Sequence, residues 1–184
     1  MVEHVCPWWL GCLIDNPLRK LIHNPEEIIG PYVKPGMTVM DIGCGMGLFS
    51  IAMAKMVCDN GQVVAVDLQH KMLDAMKRRA EKAGVADRIQ PHCCKADDLN
   101  LNIEADFALA FTVVHEIPDT KRLLSQIYTC LKPGKRFLIA EPRIHVTAST
   151  YQKMLEIATD VGFRQSEHPQ VRWCRAVVLE KASQ

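Results

Sequence analysis

The sequence has 184 residues, of which 48% are hydrophobic, and this is enough material for one folded domain with a hydrophobic core. Its formal net charge of +1 predicts neither a nucleic-acid partner nor attraction to an anionic membrane surface. The eight cysteines show no Cys-x-x-Cys spacing and are interpreted as reduced thiols. The sequence shows neither an apolar run long enough to span a membrane nor the pattern of a signal peptide. Together these observations predict a cytoplasmic protein.

Residues 1–32 are predicted to form a helical lid ahead of the main domain, residues 33–184. Asn24 followed by Pro25 supplies a capping side chain and a proline at the first helical position, which is typical of a helix start. Trp8 and Trp9 are the bulkiest residues of this segment, and we predict that they line a substrate pocket. The alternative is that they fill a hydrophobic gap beneath the N-terminal helices.

A glycine-rich turn follows the first predicted strand, residues 37–42, and precedes a predicted helix. Gly43, Gly45 and Gly47 stand at every second position of this turn. Such a turn lets the backbone take positive φ values and directs free N–H groups at a ligand, which is typical of a nucleotide site. The dinucleotide fingerprint requires its third glycine at position 48, where Leu48 stands, so the spacing disfavours NAD.

The next segments predict two more buried strands, each ending in polar residues. Residues 62–67 form an apolar run that ends in Asp67, whose carboxylate is placed to accept hydrogen bonds from both hydroxyls of a ribose. A helix is predicted from His70 to Ala83, with Gly84 after its end. The third strand, residues 88–94, contains Pro91 and leads into a polar loop.

The second half of the chain continues the alternation of strands and helices. Strands are predicted at 106–111 and 136–141, a helix capped by Asp119 lies between them, and a capping box at Ser149 begins the last helix. Two further strands follow Phe163 and Trp173. This order predicts an α/β fold with a mostly parallel sheet and helices on both faces, whose ligands bind at the carboxyl ends of the strands.

Four segments resemble motifs of class I S-adenosylmethionine (SAM) methyltransferases, of the small-molecule, methyltransferase type 11 or UbiE-like group. They are Asp41-Ile-Gly43-Cys-Gly45-Met-Gly47, Val66-Asp67-Leu68, the stretch from Ala105 through His115-Glu116-Ile117-Pro118-Asp119, and Leu131-Lys132-Pro133-Gly134. The resemblance implies a single-domain Rossmann-like fold with a seven-stranded sheet that contains one antiparallel strand. It also implies that SAM is the cofactor and S-adenosylhomocysteine (SAH) the product, with the glycine turn at the methionine part and Asp67 at the ribose.

One position departs from the family pattern, which has an aspartate after the third strand to accept from the adenine amino group. Lys95 stands at this position, and its side chain can only donate hydrogen bonds. Adenine must then be held either by Asp97 or by the backbone of Ala96 together with apolar walls. We favour the backbone. The resemblance further implies that carbonyls near Phe111 and Thr112 hold the amino group of SAM. The candidate cofactor-binding residues are Asp41, Gly43, Cys44, Gly45, Gly47, Asp67, Leu68, Lys95, Ala96, Asp97, Phe111 and Thr112.

His115 and Glu116 follow the fourth strand and are the candidate catalytic residues, since an acceptor that keeps its proton needs a general base. The alternative for His115 is a capping or packing role. Glu141 and His145 follow the fifth strand and are predicted to face the substrate. A metal site built from these four residues is not predicted, because the acid pair that catechol-type methyltransferases use is absent.

The sequence thus predicts a SAM-dependent methyltransferase that acts on an unidentified small molecule. It lacks an inserted substrate domain and an Asn-Pro-Pro-Tyr/Phe motif after the fourth strand, which disfavours methylation of bases or glutamine. A thiol-bound metalloid is a further possible acceptor, although the paired cysteine spacing for it is not evident. The alternative function is a non-catalytic SAM-binding or SAM-sensing protein with the same fold; the oligomeric state is not predicted.

Overall fold

The structure is a computed structural model that describes residues 22–183. The main part of the predicted lid, including Trp8 and Trp9, lies outside the described residues. The described elements are α1 Pro25–Ile29, β1 Thr38–Ile42, α2 Leu48–Val57, β2 Gln62–Asp67, α3 His70–Lys82, β3 Ile89–Cys93, β4 Ala105–Phe111, α4 Thr120–Cys130, β5 Leu131–Pro142, α5 Ala148–Val161, β6 Phe163–Glu167 and β7 Cys174–Lys181. Two short 3-10 helices lie at Ala86–Arg88 and Val114–Glu116.

The described strands form one seven-stranded sheet in the order β3-β2-β1-β4-β5-β7-β6. β7 runs antiparallel to β5 and β6, whereas the other neighbouring pairs are parallel. The predicted α/β class is therefore confirmed, as is the single antiparallel strand that the family resemblance implied. The chain order reverses between β1 and β4, and ligands of open parallel sheets bind at such a point.

Side chains of the central strands alternate between two apolar layers, as the pleat of a strand requires. Val39 of β1 packs in the layer covered by α2 and α3, while its neighbour Met40 packs in the layer covered by α4 and α5. Both side chains are fully buried. Because β1 and β4 are covered on both faces, their polar atoms are accessible to a ligand only at the strand ends.

Two local predictions differ from the structure. The cap of α5 is Thr147, whose hydroxyl accepts from the backbone N–H of Thr150 at 3.1 Å, and Ser149 lies inside the first turn instead. β5 begins at Leu131, which pairs with Ala105 before the register shifts. β5 therefore follows α4 without an intervening loop. The pairing of β4 with β5 accommodates an irregular stretch that includes Gly134, whose φ is 71°.

No helix in the described range of residues has the length and apolar character that crossing a membrane would require.

Candidate functional site

A cavity of about 470 Å³ opens at the carboxyl ends of β1, β2 and β4, a volume typical of small-molecule sites. Its wall includes most of the predicted cofactor residues: Asp41, Gly43, Cys44, Gly45, Asp67, Leu68, Lys95, Ala96, Asp97, Phe111 and Thr112. Met72, Leu99, Leu123 and Gln126 also line it and were not singled out from the sequence. Met72, Leu99 and Leu123 are apolar and cannot be told from ordinary core residues in the sequence. Gln126 is polar, but nothing in its sequence surroundings points to a ligand site.

The three glycines of the turn have different roles, although all take positive φ values. A Cβ added to Gly45 would meet nothing within 4 Å, so this glycine borders open cavity space. A Cβ on Gly43 would lie 2.4 Å from Val113 Cγ2, and one on Gly47 would lie 2.5 Å from Met76 Cγ. Gly47 is absent from the cavity wall, which makes it a residue that shapes the turn by close packing.

Asp67 lies at the end of β2 with its carboxylate at the cavity. Its Oδ2 accepts from the backbone N–H of Gly45 at 2.9 Å, and its Oδ1 accepts from that of Gln69 at 2.8 Å. Burial raises the pKa of Asp67, although these backbone donors act in the opposite direction. The side chain is thus fixed in direction while each oxygen retains capacity for a second hydrogen bond.

Asp41 occupies the floor of the cavity beneath the glycine turn. Only 2% of its surface is exposed, and it accepts from Ser50 Oγ at 2.5 Å. A buried carboxylate requires such partners, and a cationic ligand group above it would gain from its charge.

The loop after β3 is fixed by contacts with α4. The N–H of Lys95 donates to the carbonyl of Asp98 at 2.9 Å, and Asp98 Oδ1 accepts from Gln126 Nε2 at 3.0 Å. The Asp97 carboxylate lies 3.6 Å from an Arg122 nitrogen. Ala96 and Asp97 both line the cavity, so the structure leaves both predicted partners of the adenine within reach of a ligand.

His115 and Glu141 form a hydrogen-bonded pair between His115 Nδ1 and Glu141 Oε2. The other oxygen of Glu141 accepts from the N–H groups of Val113 at 3.2 Å and Val114 at 2.9 Å. Glu141 is 1% exposed and absent from the cavity wall, so its expected contact with a substrate is not seen. The parallel pairing of β4 with β5 places it under the turn that follows β4, where its carboxylate is fully used.

The surroundings of His115 leave its ring partly accessible, with 21% of the side chain exposed. The hydrogen bond to Glu141 raises the pKa of His115, against the effect of burial. His145 stacks against it with ring centres 6.0 Å apart and planes inclined by 7°. Neither histidine lines the cavity, whereas Glu116 does. His115 therefore lies beside the cavity wall, next to residues that form it.

Thr112 has a φ of 59°, a left-handed conformation that is unfavourable for a β-branched residue. Its N–H donates to the carbonyl of Ala140 at 2.7 Å, which holds the strained turn against β5. Strained backbone of this kind concentrates at functional sites, and Thr112 lies on the cavity wall.

No group of three or more His, Cys, Asp or Glu residues in the described part of the chain is arranged to hold a metal ion. The cavity does provide what a nucleoside with a cationic amino-acid tail needs. Gly45 leaves space for close approach, Asp67 offers carboxylate oxygens for hydroxyl groups, and Asp41 supplies negative charge beneath the turn. The residues present thus fit SAM.

The family model described as a methyltransferase domain matches residues 33–175. A demethylmenaquinone methyltransferase from Symbiobacterium thermophilum is 32% identical over 120 residues, which are 63% of this chain and 47% of that protein. A tRNA 5-carboxymethoxyuridine methyltransferase from Escherichia coli K12 is 33% identical over 100 residues, 53% of this chain and 37% of that protein. The chain spans about half the length of the curated relatives it matches. Since one relative is named for tRNA, the absence of a nucleic-acid partner stays a prediction.

A solved structure with a similar fold is a SAM-dependent methyltransferase from Aquifex aeolicus. It superimposes with a TM-score of 0.86 at 23% identity, covering 96% of this chain and 99% of that one. This likeness concerns the fold, whereas the family model covers most of the sequence. The chain therefore belongs to the methyltransferase domain family, within the class I SAM-dependent methyltransferases, whose cofactor is SAM.

Proposed function

We propose that this chain transfers a methyl group from SAM to a small-molecule acceptor whose proton is removed by His115. The observation that carries the proposal is the pair of His115 with the buried Glu141 beside the cavity. An ionised carboxylate can only accept hydrogen bonds, so Nδ1 of His115 donates and Nε2 is the atom left to accept a proton. Glu141 is then a positioning residue that fixes the tautomer and ring direction of His115.

The cofactor would be held by the glycine turn, by Asp67 at its ribose hydroxyls and by the backbone of the loop at Ala96. When bound, SAM supplies a methyl group without its bonding electrons, so the acceptor atom donates the electron pair and SAH is the product. The chain itself aligns the two reactants, and alignment contributes much of the acceleration in such displacements. His115 accepts the proton that an acceptor hydroxyl or similar group releases.

The test is incubation of the full chain with SAM carrying an isotope-labelled methyl group and with a metabolite extract, followed by mass spectrometry. We expect a labelled small-molecule product whose formation His115→Ala abolishes while the affinity for SAM is kept. Label in RNA from a parallel tRNA incubation, with none in small molecules, would contradict the acceptor class. SAM binding with no labelled product in either incubation would favour the non-catalytic SAM-sensing function.

Two further parts of the proposal concern the setting of the reaction. We place the protein in the cytoplasm, because the six cysteines of the described residues are free thiols, which suits a reducing compartment. Thiol titration of freshly prepared, denatured protein should count eight thiols, and a count of six or fewer would contradict this location.

Residues 1–32 are proposed as a lid over the acceptor, with Trp8 and Trp9 at its wall.

A further inference from the structure

One edge of the site carries two arginines that form no ion pair with a carboxylate of the described residues. Arg143 and His145 follow β5, Arg172 precedes β7, and all three residues are exposed. We call this group the basic edge. The arginine side chains bind neutral groups: Arg143 Nε donates to the carbonyl of Cys174 at 3.0 Å, and the Arg172 guanidinium lies 4.9 Å from the ring centre of Trp173.

Four arginines elsewhere in the described chain are paired with carboxylates, whereas Arg175 donates to the carbonyl of Val146. Arg88, Arg122, Arg136 and Arg164 each form an ion pair with an aspartate or glutamate. Across residues 22–183 no such pair involves Arg143 or Arg172. The charge of the basic edge is therefore available to a ligand.

Two carboxylates of the neighbouring segments, Glu141 and Glu116, are directed at other groups. Glu141 is buried and binds His115, and it lies opposite Arg175 in the pairing of β5 with β7, so Arg175 is not counted in the basic edge. Glu116 lines the cavity, and its negative charge contributes to the raised pKa of His115.

Contacts connect the basic edge to the cofactor cavity. His145 stacks on His115, and His23 Nε2 donates to the carbonyl of Arg172 at 2.8 Å. The His23 ring also packs edge-on against Phe111, a cavity residue, with centres 5.0 Å apart. Through His145, the basic edge is therefore in direct contact with the proposed base.

Trp173 adds an apolar surface at the same place. It is 60% exposed, with a left-handed φ of 61°, and its carbonyl accepts from the Arg143 N–H at 2.9 Å. An exposed tryptophan in a strained, hydrogen-bonded position is unusual for a merely structural residue and is suited to stacking on a flat ring.

We propose that the methyl acceptor is an aromatic acid whose anionic group binds Arg143 and Arg172 while the atom to be methylated faces His115. This inference rests on the proposed function and names the chemical class of its acceptor. Arginine forms paired hydrogen bonds with carboxylates, and exposed aromatic rings bind planar groups, so charge and shape select the same class.

The probes are 3,4-dihydroxybenzoate and its neutral amide, 3,4-dihydroxybenzamide, measured by calorimetry on the full chain loaded with SAH. We expect the acid to bind about tenfold more tightly than the amide. Arg172→Gln should remove most of this difference without changing the affinity for SAH. This variant should fold, because among the described residues the recorded contact of the guanidinium is with the exposed Trp173. Arg164→Gln is the matched control, since Arg164 lies at the opposite end of the sheet, and it should have no effect.

Equal binding of acid and amide, or binding of neither at millimolar concentration, would overturn the inference. Binding of a tRNA mixture that depends on Arg172, with no binding of the acid, would overturn it in favour of nucleic-acid phosphate. The proposed function fails separately. If the acid binds through Arg172 but no extract compound is methylated, the anion site stands and the proposed methyl transfer does not.

Discussion

The backbone N–H of Gly45 donates to the carboxylate of Asp67 over 2.9 Å, so the glycine turn is bonded to the end of β2. Each carboxylate oxygen accepts more than one hydrogen bond, and the exposed side of Asp67 faces the cavity. One side chain therefore holds the turn and remains able to bind ribose hydroxyls.

Asp67→Ala should weaken SAM binding by roughly 1.5–3 kcal/mol, the usual range for lost hydrogen bonds to a charged group. Calorimetry with SAM measures the change, and Asp74→Ala, which alters an exposed carboxylate on α3, is the control. Because burial raises the pKa of Asp67, binding should decline on acidification at a higher pH than an ordinary aspartate would cause. An unchanged dissociation constant for Asp67→Ala would remove this residue from the site.

Gly45→Ala and Gly47→Ala should separate binding from folding. A Cβ at Gly45 meets open space, so the cost to folding is the strain of a positive φ, about 1–2 kcal/mol, while SAM affinity falls sharply. A Cβ at Gly47 adds a collision with Met76 to that strain and should lower the free energy of unfolding further. Urea denaturation and SAM titration of both variants check this. If the two variants lost the same SAM affinity and had the same free energy of unfolding, Gly45 and Gly47 would not have the separate roles assigned to them.

The rate of methyl transfer should rise with pH as His115 loses its proton. Glu141 raises the pKa of His115 above its usual value of 6.5, so the midpoint of the profile should lie above that value. Glu141→Gln removes the charge and should move the midpoint down while lowering the rate. Glu116→Gln should move the midpoint down by less, because Glu116 acts on His115 through its charge alone and without that hydrogen bond. If the midpoint of the pH–rate profile were the same in Glu141→Gln as in the unsubstituted protein, His115 would be excluded as the base.

The same pair should make stability depend on pH. A histidine with a raised pKa in the folded state contributes stability that is complete below about pH 6.5 and is lost as pH rises through the folded pKa. His115→Ala should therefore reduce the free energy of unfolding more at pH 6 than at pH 9. In a Glu141→Gln background this pH dependence should vanish, as urea denaturation at both pH values can measure.

Sequence spacing brought together residues that, apart from Gly47, line one cavity, because these residues belong to local features of the chain. A glycine turn and an acid at a strand end are read directly from the chain, as with Gly45 and Asp67. The role of Glu141 could not be read in this way, since it depends on the register of β4 against β5. Gln126 was missed for the same reason, because its bond to the N–H of Leu99 joins segments distant in sequence.

The close packing of Gly43 against Val113 has a mechanical consequence. The methyl groups of Val113 occupy the space that a side chain at position 43 would take, and the Val113 N–H donates to Glu141. A movement of the glycine turn toward Val113 would therefore press on this side chain, and through it on the carboxylate that orients His115. Direct contact of this kind would couple the two halves of the cleft without a moving domain.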